Sequence, residues 1–148
     1  MIYIMQLVTA FIGSWGFAML FHVQNKRLFL ASLGGLLAWG AYLLMGFVSD
    51  QDVVRYFFAS VALTVYAEVM ARVVKCPATL FLVTASIPLV PGGSLYRTMQ
   101  FFMQNDLEAF AGQALTTMLL AVSIAVGMLF PTSVFQLLQR VRTPERRA

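Results

Sequence analysis

The chain has 148 residues, 60% of them hydrophobic and 11% charged, with a mean hydropathy of +0.81. A soluble domain carries about a quarter charged residues and about half apolar ones, so this composition excludes a water-soluble globular protein and places the chain in a bilayer. The net charge of +4 is small and clustered, and no basic face of the kind that binds nucleic acid can be traced.

In chain order, five apolar segments stand out, at about 2–21, 28–48, 53–74, 78–103 and 109–130. Each is near or above the ~20 residues that a helix needs to cross ~30 Å of hydrocarbon. The pattern predicts an all-α integral membrane bundle of about five transmembrane helices, the fourth interrupted. Residues 1–138 are expected to form one transmembrane domain and 139–148 a basic cytoplasmic tail, frayed and close to anionic lipid. The first positive charge, Lys26, follows the first apolar run, whereas a secretory signal has its charge before it. Residues 1–22 therefore read as a mature span, with His22 an interface residue at its end.

Spans two and five carry small residues at i, i+4: Ala31 with Gly35, Gly34 with Ala38, Ala121 with Ala125, and Ser123 with Gly127. In lipid, small residues let backbones approach and gain dispersion contacts. Packing within the chain is the expected use, ahead of a dedicated partner seam. In span three, Glu68 is the one acidic residue well inside a span, about 10 Å from the end marked by Lys75. A carboxylate there must be protonated, paired or turned to water, and such residues often mark proton relays. Arg72, four residues on, offers a local ion pair instead. Glu68 and Arg72 are thus candidates for proton coupling and, equally, for a structural pair.

Span four holds the run Ser86-Ile87-Pro88-Leu89-Val90-Pro91-Gly92-Gly93-Ser94-Leu95-Tyr96-Arg97-Thr98-Met99. Pro88 and Pro91 lack the amide hydrogen and interrupt the helix ladder, and Gly92 and Gly93 open conformations closed to other residues. Ser94 is expected to cap a new helix starting at Leu95. Lipid cannot satisfy an open backbone, so such a break needs protein or water around it; discontinuous helices of this kind build substrate sites in transporters. The free amides and positive dipole end of the half-helix suit a carboxylate. Tyr96 and Thr98 offer hydroxyls, and Arg97 a two-pronged partner for a carboxylate. The candidate substrate site is therefore Pro91, Gly92, Gly93, Ser94, Tyr96, Arg97 and Thr98. The plainer alternative is a proline kink in a packed helix, with Arg97 reaching to the interface.

Charges orient the bundle. Lys26, Arg27, Arg72, Lys75, Arg140, Arg142, Arg146 and Arg147 share one side of a five-span arrangement, and Asp50, Asp52, Asp106, Glu108 and Arg55 the other. Lys/Arg-rich loops stay cytoplasmic, which predicts an outside N-terminus and a cytoplasmic C-terminus. Cys76 is the only cysteine, so neither an intrachain disulfide nor a cysteine-based metal site can form. No metal-ligand cluster, nucleotide-binding loop or nucleophile spacing is present. The chain reads as no enzyme, with no cofactor and no metal. The aromatics, including Trp15, Trp39, Tyr42, Tyr56, Phe57 and Phe58, read as belt and packing residues.

Three pieces of the chain, in order and spacing, resemble the small membrane subunit of the split threonine/serine exporter family. They are Gly16-Phe17-Ala18-Met19-Leu20-Phe21, the segment from Ala71-Arg72 through Pro77, and above all Ile87-Pro88-Leu89-Val90-Pro91-Gly92 continuing through Ser94, Tyr96, Thr98 and Met99. The resemblance implies an inner-membrane exporter of threonine and serine driven by the proton motive force, with a larger membrane subunit as partner. Some split members are linked to efflux of dicarboxylates such as succinate, which is the alternative substrate class. The second glycine, Gly93, and Arg97 stand where the family varies. A non-transporting scaffold for a partner is a further alternative, although a scaffold gains nothing from open backbone in lipid. A self-sufficient small multidrug transporter fits poorly, because residues 1–25 contain no acid. Lipid is an implied partner, nucleic acid is not, and homo-oligomers are left open.

Overall fold

The computed structural model describes residues 2–23 and 26–142, with side chains as far as 137. The described residues form helices and turns, with no strand. In order they are α1 (Ile2–Leu20), α2 (Lys26–Met45), α3 (Asp52–Val74), α4 (Ala78–Ser86) leading into a 3-10 turn (Ile87–Leu89), α5 (Gly92–Met103) and α6 (Leu107–Arg142). Helices α1, α2, α3 and α6 are each long and apolar enough to cross a membrane. The α4 arm and α5 are long and apolar enough only together, as a pair bent by 52°, the shape of a broken span or of a re-entrant loop. The fold is thus an all-α membrane bundle with the fourth apolar segment broken. The last helix runs further than its apolar stretch: it continues through Pro131 to Arg142, so the fraying expected from Gln139 is not seen there. Arg146 and Arg147 lie outside the described residues.

Three helices end in the same way. His22, Lys75 and Asn105 take left-handed backbone (φ 56°, 53° and 57°). The next amide then reaches back five residues, Val23 to Ala18 at 3.0 Å, Cys76 to Ala71 at 2.9 Å and Asp106 to Phe101 at 3.2 Å. This closure satisfies carbonyls that the helix end would leave open. Asn tolerates the conformation; His22 and Lys75 bear a steric cost of about 1 kcal/mol each. Asp106 in turn starts α6, its Oδ1 accepting from the Ala109 amide at 3.1 Å.

Helix α2 is the hub, packed against α1, α3, α4 and the 3-10 turn. Its small residues make that possible, since Ala31, Gly34, Gly35 and Ala38 are all buried. A Cβ on Gly34 would come within 2.9 Å of both Ala85 and the Tyr66 ring, and one on Gly35 would strike Ser14. Ser123 and Gly127 of α6 also face inward. The Ser123 hydroxyl donates to the Val53 carbonyl, and Gly127 lies against Ser60 and the Phe57 carbonyl. Ala121 and Ala125 are exposed. Both α2 stripes and one of the two α6 stripes therefore serve packing within the chain.

The core divides along the bundle. One cluster joins Ala18, Val23, Ala31, Ala67, Ala71 and Phe81, and brings the Lys26–Arg27 end of α2 beside the Lys75 turn. The other joins Ala38, Ala59, Leu63, Ala85 and Leu89. Near the opposite end, Arg55 lies between Asp50 (3.4 Å) and Asp52 (3.6 Å), and its Nε donates to the Ser49 carbonyl at 2.7 Å. Helix α6 runs parallel to α3: Ser123 meets Val53, Gly127 meets Ser60, and Phe135 meets Arg72. The 107–122 stretch of α6, about 24 Å of helix at 1.5 Å per residue, precedes the contact with the first turn of α3. There its main packing partner is α5.

Candidate functional site

The break begins with a local conflict. Pro88 fits inside the 3-10 turn, where Ile87 keeps helical backbone (φ −52°, ψ −45°). Pro91 is what stops the chain. Proline disfavours helical backbone in the residue before it; Ile87 keeps it before Pro88, but Val90 before Pro91 is extended (φ −61°, ψ 123°). The two prolines therefore differ: one tightens the helix and the other ends it.

Helix α5 restarts at Gly92 with Pro91 in the capping position and no side-chain cap. This corrects the expected role of Ser94, which is the third residue of α5. It also corrects the expected role of the glycines, because no glycine has positive φ. What distinguishes Gly92 and Gly93 is bareness, since a Cβ on either would meet nothing within 4 Å. The Gly92 amide turns back to Val90 at 2.7 Å and the Leu95 amide donates to Pro91 at 3.0 Å. The Gly93 and Ser94 amides between them have no acceptor among the described residues, as expected at an uncapped helix start. Free N–H groups and the positive dipole end thus meet at one spot.

The break sits at the middle of the bundle. Pro88 is beside Gly35, the tenth residue of the twenty in α2, and Leu89 shares a cluster with Leu63, the twelfth of 23 in α3. A cavity lies on each side of it. One, of about 220 Å³, is lined by Ser86, Leu89, Val90, Pro91, Ala121, Ile124 and Met128, and faces α6. The other, of about 230 Å³, is lined by Gln6, Thr9, Ala10, Gly13, Trp39, Ile87 and Pro88, and faces α1 and α2.

The residues singled out from the sequence do not converge on one pocket. Pro91 lines the cavity against α6. Gly92, Gly93, Tyr96 and Arg97 are exposed, and Arg97 has no ion pair among the described residues. Ser94 is half-buried; its carbonyl accepts from the Thr98 hydroxyl at 2.8 Å. The Thr98 hydroxyl also lies 3.0 Å from that of Thr117, joining α5 to α6. Glu68 and Arg72 form the local ion pair, 3.5 Å apart, with the glutamate side chain 12% exposed and the arginine 42%. The Arg72 guanidinium also stacks 4.4 Å from the Phe135 ring centroid, which ties α3 to α6.

Sequence reasoning passed over Gln6 and Thr9 and read Trp39 as packing. The available signal was a polar face in an apolar span: Gln6, Thr9 and Gly13 recur at i, i+3, i+7 on α1.

A family model described as "Threonine/Serine exporter, ThrE" matches residues 6–134. No curated protein and no solved structure matches the chain.

Proposed function

Because the chain belongs to the threonine/serine exporter family, a family of membrane transporters, we propose that it is the small subunit of a two-component exporter in the bacterial cytoplasmic membrane. A larger membrane subunit supplies the rest of the pathway. The exported solutes are small carboxylate-bearing metabolites, threonine and serine first, moved by alternating access and driven by the proton motive force. The basic turns at Lys26–Arg27 and Lys75 face the cytoplasm, with the N-terminus outside and the C-terminus inside.

The observation that carries this reading is the mid-depth break, where bare glycines leave the Gly93 and Ser94 amides without acceptors. A substrate carboxylate there would accept from those amides at the positive end of α5. Proton coupling falls to Glu68, a largely buried carboxylate within α3 whose charged partner is Arg72. Protonation would release Arg72 and loosen the joint between α3 and α6.

Gly92→Leu tests the site. The new side chain enters open space, so the protein should reach the membrane at its usual level, while threonine and serine efflux is lost because the amides are covered. Unchanged efflux of threonine, serine and succinate from that variant would count against the site. Co-expression with candidate large subunits, followed by pull-down, tests the partnership. Full transport by the large subunit alone would instead make this chain a scaffold.

A further inference from the structure

Helix α5 is the most strongly amphipathic of the described helices, and its surface divides into three sectors. Ser94, Thr98 and Phe101, at i, i+4 and i+7, are half-buried, with Thr98 against α6. Leu95, Tyr96, Met99 and Met103 form an apolar arc, each between 53% and 78% exposed. The third sector is polar. Gly93, Arg97 and Gln100, again at i, i+4 and i+7, are exposed, and Gln104 continues their line just past the helix end.

This stripe lies where lipid tolerates it least. Helix α5 starts at the middle of the bundle, so Arg97 is about 8 Å along the axis from there at 1.5 Å per residue. The hydrocarbon extends ~15 Å to either side of its middle. Reaching the outer interface along the stem would run against the side-chain direction, because Cα–Cβ bonds tilt toward the helix N-terminus, which for α5 is the mid-depth end. Arg97 has no ion pair among the described residues, and Glu68, the one acid inside a span, is held by Arg72. A charge in such a place faces a polar partner or a water-filled cavity.

Two observations favour water. The stripe begins at Gly93, whose amide is free along with that of Ser94, so it is continuous with the break. A charge followed by two amides is also satisfied by water at every point, whereas a dry partner face must match all three in register. We propose that the Gly93–Arg97–Gln100–Gln104 stripe is one wall of a water-filled passage from the break to the outer face, with Arg97 a fixed positive charge that draws anionic groups along it. The apolar arc lies in lipid. The proposal rests on the exporter reading for what moves through the passage; the wetness of the wall is measured without transport.

The test places single cysteines along α5 of the full-length chain carrying Cys76→Ser, expressed from its own gene in its own host. Intact cells are treated with membrane-impermeant methanethiosulfonates, and labelling after denaturation in detergent normalises for the amount of each variant. Arg97→Cys and Gln100→Cys should react, and Leu95→Cys and Met99→Cys should react at least about tenfold more slowly, since a thiol in lipid stays protonated. Residues at i, i+3 are neighbours, so at Gln100→Cys the preference for an anionic over a cationic reagent should fall about tenfold when Arg97→Gln is added. Equal reactivity of stripe and arc would mean a helix lying at the membrane surface, and protection of both a face sealed by a dry partner. Either result would overturn the proposal, as would labelling confined to inside-out vesicles or a charge preference indifferent to Arg97→Gln. The expected labelling in cells that export neither threonine, serine nor succinate would sink the exporter reading instead, and the wet wall would stand.

Discussion

The α1–α4 body and the hairpin made by α5 with the first half of α6 use the same residue types for opposite purposes. Two glycines of α2 disappear into contacts, Gly34 pressed by Ala85 and Tyr66 and Gly35 by Ser14, whereas Gly13 and Gly16 of α1 stay bare. Glycines in the hairpin, Gly92, Gly93 and Gly112, meet nothing. Phe81 of the body is wholly buried and Phe102 of the hairpin 55% exposed, although the body also leaves Phe29 52% exposed. No residue of α5 is buried. The body is held by close backbone approach, which is how helices associate where lipid offers no hydrophobic drive. The hairpin is held by α5 on α6, through Thr98–Thr117 and the Phe102–Phe110 contact with centroids 5.4 Å apart. A small residue in a membrane helix therefore means packing only where a neighbour fills the space it vacates.

The widest separation of the two regions should come from large-to-small changes. Phe81→Ala empties a filled core position and is expected to cost about 3 kcal/mol, whereas Phe102→Ala should cost well under half of that. Unfolding of the purified protein in denaturing detergent reads both, and equal losses would erase the distinction. Next in size is the opposite change at glycine. Gly34→Val drives new atoms into two neighbours, at about 1–3 kcal/mol, and should lower the amount of folded protein in the membrane. Gly93→Val enters open space and should leave that amount unchanged.

A smaller effect probes what holds the hairpin together. Thr98→Val and Thr117→Val, combined in a double-mutant cycle, should show a coupling of about 1 kcal/mol; strict additivity would mean that the two hydroxyls do not work as a pair. Smallest of all, Lys75→Gly relieves left-handed backbone at an exposed turn of the body and should raise stability by up to about 1 kcal/mol. The same change at Gln104, which precedes the left-handed Asn105, should bring no such gain, because its φ is −81°.

Much of this was legible beforehand because bilayer physics is severe. Apolar length alone marks the crossing helices, and the two prolines mark where a break can fall, since proline disfavours helical backbone in the residue before it; that the chain stops at Val90–Pro91 while Ile87 before Pro88 stays helical was decided by the structure. The Glu68–Arg72 pair follows from four-residue spacing on one helix. The capping role expected of Ser94 did not follow, because the helix restarts as soon as Pro91 has set its direction, two residues earlier than the first polar side chain. The glycines misled for a related reason: their use as bare surface depends on what stands opposite. That Gln6 and Trp39 line one cavity was not legible, because they lie on different helices.

The order of residues alone set everything that one helix feels locally: its length, its apolar character, where its hydrogen-bond ladder can stop, and which charges flank it. Packing of the bundle was needed to settle which glycines are filled by neighbours, that the break falls at the bundle's midpoint, and that residues of α1 and α2 line a cavity beside it. The reason is physical: backbone conformation is set within a few residues, whereas a cavity is defined by surfaces that come together only when helices distant in the chain pack side by side.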